Sequence, residues 1–152
     1  MIPRSTGGAG VNSIQTGTNY INYDVLEFDA STAEYAQFIR ILPNNWNLGT
    51  ITAKFYWTIA TTSAGNVVWG IRARSYPDNN ALDQAFGTAV TVTDGALTAA
   101  YTHISSATSA MTIGGTNALG NPTIFEIYRD AANGSDTLAI DAQLLGLEIT
   151  YN

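Results

Sequence analysis

Few side chains in this 152-residue chain could do acid–base chemistry. His103 is the only histidine, and the chain contains no cysteine. An imidazole can act as a general base near neutral pH, but neither a second histidine nor a Gly-x-Ser-x-Gly motif accompanies it. We therefore interpret His103 as an ordinary strand residue in the segment Ala100–Ser105.

Paired carboxylates could serve as the acid and base of a glycosidase. Two clusters of acids stand near predicted strand ends: Asp24, Glu27 and Asp29, and Asp130, Asp136 and Asp141. Neither spacing is diagnostic, because acids are common at the strand ends of any β-sandwich. A hydrolase stays open as the weakest alternative, and we predict that the chain is not an enzyme and has no catalytic residues.

Oxygen ligands for calcium come closest together in Asp78, Asn79, Asn80 and Asp83. Their spacing does not match the Asp-x-Asp-x-Asp-Gly pattern of a calcium loop. We interpret them as a turn followed by a short helix over residues 81–86, with Asn80 as its cap. The sequence contains no phosphate loop or dinucleotide motif. We predict no metal site and no cofactor.

The charge of the chain limits its partners. Six lysines and arginines stand against twelve acids, giving a net charge of −6. Nucleic-acid binding needs clustered cations, and docking on an anionic membrane needs a basic patch, so we predict neither partner. No segment resembles a signal peptide or a membrane-spanning helix. Charged residues make up only 12% of the chain, and we expect partners to cover much of this weakly charged surface.

Alternating apolar residues predict strands throughout the chain. The clearest run, Thr50–Ile59, places Phe55 and Trp57 on its apolar face. Residues 66–75 repeat this pattern, with Trp69 on the apolar face, and we assign both tryptophans to the core. Further strands are predicted over these segments: 20–28, 35–42, 88–93, 100–105, 110–113, 123–130 and 137–151.

Connections between these strands suggest how they pair. The spacer 61–65 is typical of a hairpin loop, and Asn133-Gly134 favours a tight hairpin between the last two strands. The apolar series of the final strand changes parity, which predicts a bulge near Leu144–Gly146. These patterns predict an all-β fold, an antiparallel jelly-roll or Greek-key β-sandwich of about eight strands with one short helix.

Residues 1–19 are rich in Gly, Ser, Thr and Asn and show no sustained period. We interpret them as an extended N-terminal arm, followed by a jelly-roll domain over residues 20–152. An arm of this composition is usually ordered only when it lies on something, so we expect it to pack on a neighbouring subunit.

Candidate partner-binding residues are the apolar and basic residues of the arm and the aromatic and basic residues expected to point outwards. They are Ile2, Arg4, Val11, Ile14, Trp46, Tyr56, Arg72, Arg74 and Tyr128. Trp46 lies in a loop, where it could contact a partner or equally close one end of the barrel. Tyr56, Tyr128, Arg72 and Arg74 are expected to share an outward face.

Several blocks of residues carry a resemblance to a known family. They are Ile41-Leu42-Pro43 with Trp46, Gly49 to Trp57, Val68-Trp69, Phe125 to Asp130, Asp136 to Ala139 and Leu144 to Tyr151. Together they resemble a jelly-roll module of tailed-bacteriophage virion proteins, over roughly residues 20–152. Such modules occur in capsid cement or decoration proteins and in tail fibres and spikes, often as homotrimers.

The resemblance implies a structural protein of the virion, assembled in the host cytoplasm. We expect a capsid cement protein that binds the outer surface of the major capsid protein lattice and stabilises the head. The alternative is a receptor- or carbohydrate-binding module of a tail fibre or spike. Trp46, Tyr76 and the loop Asp78–Asp83 would then be the candidate contacts.

Overall fold

The computed structural model describes all residues from Met1 to Asn152 except the side chain of Ser105. Eleven strands form two sheets: β1 (Ile2–Pro3), β2 (Gly10–Gln15), β3 (Asn22–Phe28), β4 (Glu34–Ile41), β5 (Ile51–Thr58), β6 (Asn66–Ser75), β7 (Val90–Gly95), β8 (Ile104–Ala107), β9 (Gly114–Gly115), β10 (Pro122–Arg129) and β11 (Ala142–Tyr151). No helix in the described part of the chain could span a membrane.

The two sheets face each other as a sandwich. Sheet A has the strand order β1-β4-β10-β6-β7, with β9 added parallel to β6, and sheet B has the order β2-β3-β11-β5-β8. All other pairings are antiparallel. The chain crosses repeatedly between the sheets, since β3, β5 and β11 lie in sheet B while β4, β6 and β10 lie in sheet A. This architecture confirms the predicted β-sandwich.

Aromatic side chains fill the space between the sheets. Trp57 and Trp69 are fully buried, as their inward parity predicted. Trp69 stacks on Phe55 with ring centroids 5.3 Å apart and meets the edge of Phe28 at 5.1 Å. The alternation in β5 and β6 therefore supplies the central contact between the two sheets.

The bulge predicted in the last strand is confirmed. Leu144 pairs with Trp57 of β5, but the next pair along is Gly146 with Tyr56, so Leu145 is an extra residue. β11 is paired with β3 over Ala142–Leu144. Where the two strands separate, a recess of about 240 Å³ lies beside Val25, Leu145 and Gly146.

Both predicted hairpins are wrong. β5 and β6 belong to different sheets, and so do β10 and β11. Each pair of strands buries its apolar face in the shared core from opposite sides, so the short connection crosses the sandwich instead of turning within one sheet. Gly65 allows the first crossing, because a side chain there would meet the carbonyl oxygen of Thr137 at 2.7 Å.

The short helix predicted over residues 81–86 is absent from the described structure. So short a segment cannot repay the cost of helix nucleation by itself. It is held instead by Arg74, which donates to the carbonyl oxygen of Ala85 at 2.9 Å and to the side chain of Gln84.

Residues 1–19 fold back onto their own domain, which corrects the expectation that they pack on a neighbouring subunit. β1 pairs with β4, placing Ile2 opposite Gln37, and β2 pairs with β3 along its whole length. The boundary drawn at residue 19 falls within the turn between β2 and β3. The arm thus adds one edge strand to each sheet, because its polar backbone finds hydrogen-bond partners there.

A buried ion pair fixes the crossing from β10 to β11. Arg129 is fully buried and binds both carboxylate oxygens of Asp136, at 3.0 and 2.8 Å. Its remaining donors reach the carbonyl oxygens of Phe28, Leu138 and Ile140, at 3.2, 2.5 and 2.8 Å. Asp136 also accepts the backbone N–H of Val68 at 3.0 Å. One guanidinium therefore connects β3, β10 and the crossing segment.

Replacing Arg129 with methionine should destabilise the fold by about 3–5 kcal/mol, because Asp136 would be left as an unpaired buried charge. Urea unfolding followed by tryptophan fluorescence measures the change. The matched control, Arg40→Met, removes an exposed guanidinium and should cost under about 1 kcal/mol. Equal losses for the two variants would contradict this account of the buried pair.

Candidate functional site

The predicted partner-binding residues separate onto different surfaces. Arg72, Arg74 and Tyr128 point outwards from sheet A, whereas Tyr56 points outwards from sheet B. The expectation that these four residues share one face is therefore wrong. On the edge strands, Ile2 is exposed in sheet A, and Val11 is exposed and Ile14 half-buried in sheet B.

On the outer face of sheet A, two basic residues, Arg4 and Arg72, converge on Glu126. This carboxylate is buried and accepts hydrogen bonds from Arg72 at 2.8 and 2.5 Å and from Gln37 at 2.7 Å. Arg4 lies 3.6 Å from Glu126 and covers the ring of Tyr35, which tilts against Tyr128. Since Arg4 and Arg72 both contact the one carboxylate of Glu126, and Arg74 donates to Ala85 and Gln84, these side chains are engaged within the domain and hold the sheet together.

Trp46 closes one end of the sandwich. It is 6% exposed and meets Tyr151 edge-on, with ring centroids 5.3 Å apart. Tyr76 is also buried, at 4% exposure. Beside it, the Asp78–Asn80 turn and Asn121 line a recess of about 390 Å³. Of the contacts predicted for a carbohydrate-binding module, the loop is accessible and the two aromatic rings are largely covered.

The outer face of sheet B combines aromatic and polar side chains. We call it the Tyr56 face and define it by residues of three strands and of the segment before β8: Tyr23, Val25 and Glu27 of β3; Lys54, Tyr56 and Thr58 of β5; Gln143, Gly146 and Glu148 of β11; and Tyr101 and His103. Parity places the strand residues here, opposite the buried Phe55 and Trp57.

Tyr56 is the centre of this face. Its hydroxyl donates to Glu148 at 2.7 Å, which is the main reason that its pKa is raised. The ring stacks on His103 with centroids 5.3 Å apart and an interplanar angle of 10°, and the Lys54 ammonium lies 5.2 Å from it. Opposite Tyr56 stands Gly146, where an added methyl group would contact nothing within 4 Å. The ring therefore borders open space.

Gln143 and Glu27 form the polar floor of the face. Gln143 is 1% exposed and donates from Nε2 to Glu27 at 2.8 Å. The same carboxylate accepts from Asn12 at 3.2 Å. The other end of the amide, Gln143 Oε1, is buried and has no hydrogen-bond partner among the described residues. A buried acceptor in this state is costly, since most such groups in proteins are paired.

Tyr101 belongs to the segment that precedes β8, which is held against the end of β5. Its N–H donates to the carbonyl oxygen of Ile59, and Thr58 Oγ1 donates to the carbonyl oxygen of Thr102, both at 2.8 Å. Burial raises the pKa of Tyr23, and the nearby phenol of Tyr101 raises it further. Tyr101 has a φ of 59°, a left-handed conformation that is strained for a tyrosine.

The carboxylates considered for a hydrolase are each engaged by donors within the fold. Asp24 accepts from Ser13 at 2.6 Å, Asp136 from Arg129 and Asp141 from the N–H of Ala30 at 3.2 Å. Hydrogen bonds from Ser31, first from its side chain, hold the pKa of Asp29 below its usual value. Within the described side chains, no group of three or more His, Cys, Asp or Glu residues is arranged to hold a metal ion.

Sequence reasoning found Tyr56 but not its neighbours on this face. The outward parity of β5 was a sufficient signal for Tyr56. Gln143 and Glu27 come together only through the pairing of β11 with β3, and Tyr101 arrives on an irregular segment. His103 was interpreted as an ordinary strand residue, whereas it stands just before β8, exposed and stacked on Tyr56.

Comparison with known proteins gives similarity at the level of solved structures. One similar structure is that of TmCBM61 in complex with β-1,4-galactotriose. The alignment covers 99% of this chain and 86% of the TmCBM61 chain, at 10% sequence identity and a TM-score of 0.43. A family 6 carbohydrate-binding module gives the same identity and coverage, with a TM-score of 0.39. No family model and no curated protein matches the sequence, and the relationship to phage virion modules stays a prediction.

Truncating Tyr101 to alanine should lower the pKa of Tyr23 towards the ordinary tyrosine value of about 10. The substitution removes the phenol of Tyr101, which raises that pKa in addition to the burial of Tyr23. An NMR pH titration of the tyrosine Cζ resonances measures the shift. Tyr20→Ala, at an exposed position, serves as the control. An unchanged Tyr23 titration in Tyr101→Ala would show that the two rings do not meet over this face.

Proposed function

We propose that this chain is a non-catalytic binding module whose Tyr56 face recognises carbohydrate. The observation that carries the proposal is the Tyr56–His103 stack, which borders open space at Gly146 and has a carboxylate and an ammonium group beside it. We place this module, as part of the same proposal, in a phage tail fibre or spike.

The chemistry of the face suits a saccharide. A pyranose ring presents C–H groups that pack on an aromatic ring, and its hydroxyl groups donate and accept hydrogen bonds around the edge. Tyr56 supplies the ring, Glu148 an acceptor and Lys54 a donor. Apolar surface with a few well-placed polar groups is typical of small-molecule sites.

The absence of catalysis is also part of the proposal. His103 is in contact with the face of an aromatic ring, and the carboxylates near it are already bound: Glu148 by Tyr56, and Glu27 by Asn12 and Gln143. A glycosidase needs two carboxyl groups on opposite sides of a scissile bond. The engaged acids of this face fit binding better than hydrolysis.

Substituting Tyr56 with alanine should weaken saccharide binding at least tenfold, because the stacking platform is lost. A glycan array identifies the ligands, and isothermal titration calorimetry measures affinity for the best of them. Tyr20→Ala, which removes an exposed ring outside the site, is the matched control. If Asn80→Ala abolished binding while Tyr56→Ala did not, the site would be the recess beside Tyr76 and the proposal for the Tyr56 face would fail.

A second candidate function, the capsid cement role expected from the resemblance, is favoured by an aliphatic surface on sheet A. Met1, Ile2, Ile39 and Ile41 are 49%, 68%, 58% and 60% exposed. Met1, Ile2 and Ile39 line a recess of about 280 Å³ together with the half-buried Ile124, and Ile41 lies two residues further along β4. Monomeric proteins rarely leave large apolar patches uncovered. The major capsid protein or further copies in a homotrimer would cover it.

Replacing both Ile39 and Ile41 with glutamate should abolish this docking, because two charges would have to be desolvated in the interface. The measurements are co-sedimentation with undecorated phage heads and the molar mass in solution by light scattering. Ile21→Glu places a charge on a similarly exposed isoleucine elsewhere, at 57% exposure, and should change neither. If the wild-type protein is a monomer in solution and does not co-sediment with the heads, the cement role is wrong.

A further inference from the structure

We propose that Gln143 Oε1 and the Tyr23 hydroxyl form a polar subsite beneath Tyr101 that binds the hydroxyl groups of a neutral saccharide. This inference rests on the proposed function and names the class of sugar that the Tyr56 face accepts. It assigns Tyr101 the role of a lid over the subsite. Three observations carry it: two unpaired buried polar atoms, the charge around them, and the strained segment above.

Gln143 is oriented as an acceptor towards the site. Its Nε2 is committed to Glu27 at 2.8 Å, which fixes the rotation of the amide. Oε1 is therefore held in place while it lacks any donor from the described part of the chain. The Gln143 side chain points outwards from β11, between Thr58 and Glu27. The backbone N–H groups of the sheet are used within the sheet and do not reach Oε1. A ligand hydroxyl would supply the missing donor.

Tyr23 adds a second unpaired group on the same face. Its hydroxyl is buried and, within the described residues, has no hydrogen-bond partner. A phenol both donates and accepts, whereas Gln143 Oε1 only accepts. A ligand that satisfies both groups must offer donors and acceptors together. Adjacent hydroxyl groups of a sugar meet this requirement, whereas an apolar ligand would leave both protein groups unpaired.

The charge around the subsite selects against acidic sugars. The Glu27 carboxylate is bonded to the same Gln143 amide through Nε2, and the second carboxylate of the face, Glu148, lies beyond Gly146 on the same strand. Lys54 is directed at the Tyr56 ring, at 5.2 Å. A uronate group would therefore approach acceptors and negative charge, in a chain whose net charge is already −6. Neutral hydroxyl groups carry no such penalty.

Tyr101 controls access to the subsite. Gln143 and Val25 lie between Thr58 and Tyr23 on the outer face and both are buried, although no strand covers them. Thr58 Oγ1 holds the carbonyl oxygen of Thr102, and the carbonyl oxygen of Ile59 holds the N–H of the preceding residue, Tyr101, so this segment lies against the end of β5 beside Gln143. Both Tyr101 and Thr98 have left-handed φ values, 59° and 60°. Movement of this segment relieves strain and uncovers the floor, so opening is an accessible motion.

The test compares neutral and uronate-containing oligosaccharides of matched length by calorimetry with the full chain. Wild type should bind the neutral series at least tenfold more tightly, with little dependence on salt concentration. Tyr23→Phe and Gln143→Leu each remove one polar atom and should each weaken binding about tenfold, the value of one hydrogen bond. Thermal unfolding checks that both variants fold. The association rate constant of the saccharide with Tyr101→Ala, measured by stopped-flow, should be higher than that with wild type.

The outcomes separate this inference from the proposal on which it rests. If wild type binds no saccharide of either series, the proposed function fails and the subsite fails with it. If binding depends on Tyr56 but is unchanged in folded Tyr23→Phe and Gln143→Leu, the Tyr56 face stands and the subsite is overturned. A preference for the uronate series would overturn the choice of a neutral ligand, and an unchanged association rate in Tyr101→Ala would overturn the lid.

Discussion

The fold depends on a charged group that is completely enclosed. Arg129 directs its guanidinium into the sandwich, and every one of its hydrogen-bond directions meets a carboxylate or carbonyl oxygen. Because an unpaired guanidinium in this position would be costly, the crossing segment must bring Asp136 and the carbonyl oxygens of Leu138 and Ile140 to Arg129. The same segment leads directly into β11 of sheet B, which supplies Gln143, Gly146 and Glu148 to the Tyr56 face.

The local pattern predicted the parts of this fold that depend on parity. The strand from Thr50 to Ile59, the inward tryptophans and the bulge near Leu144 follow from alternation alone. Sheet membership does not follow from it, because two apolar strands joined by a short loop can pair side by side or face each other across a core. Arg129 carried a usable signal, since it shares the inward parity of Phe125 and Ile127, although its partner Asp136 stands in a connection that looked like a hairpin.

The candidate site shows the same division between local and long-range information. Tyr56 could be placed on an outer face from its own strand, but the Gln143–Glu27 contact spans 116 residues of sequence and needs the pairing of β11 with β3. Tyr101 was unpredictable for a different reason, since its segment has no regular period. Two of the basic residues that suggested an interface, Arg4 and Arg72, proved to converge on Glu126, and the Arg72 contact exists only once β10 lies beside β6.

The bulge at Leu145 also has a consequence for how this chain can change length. Loss of a residue elsewhere in β11 would turn one half of the strand inside out, exchanging core and solvent positions. Loss of Leu145 alone would restore a regular ladder and leave Leu144 and Leu147 facing inwards. The separation of β3 from β11 begins at this same residue, so the deletion would favour continued pairing and fill the space beside Gly146. A chain that lacks Leu145 would keep the sandwich, but the outer face of its sheet B would be flat.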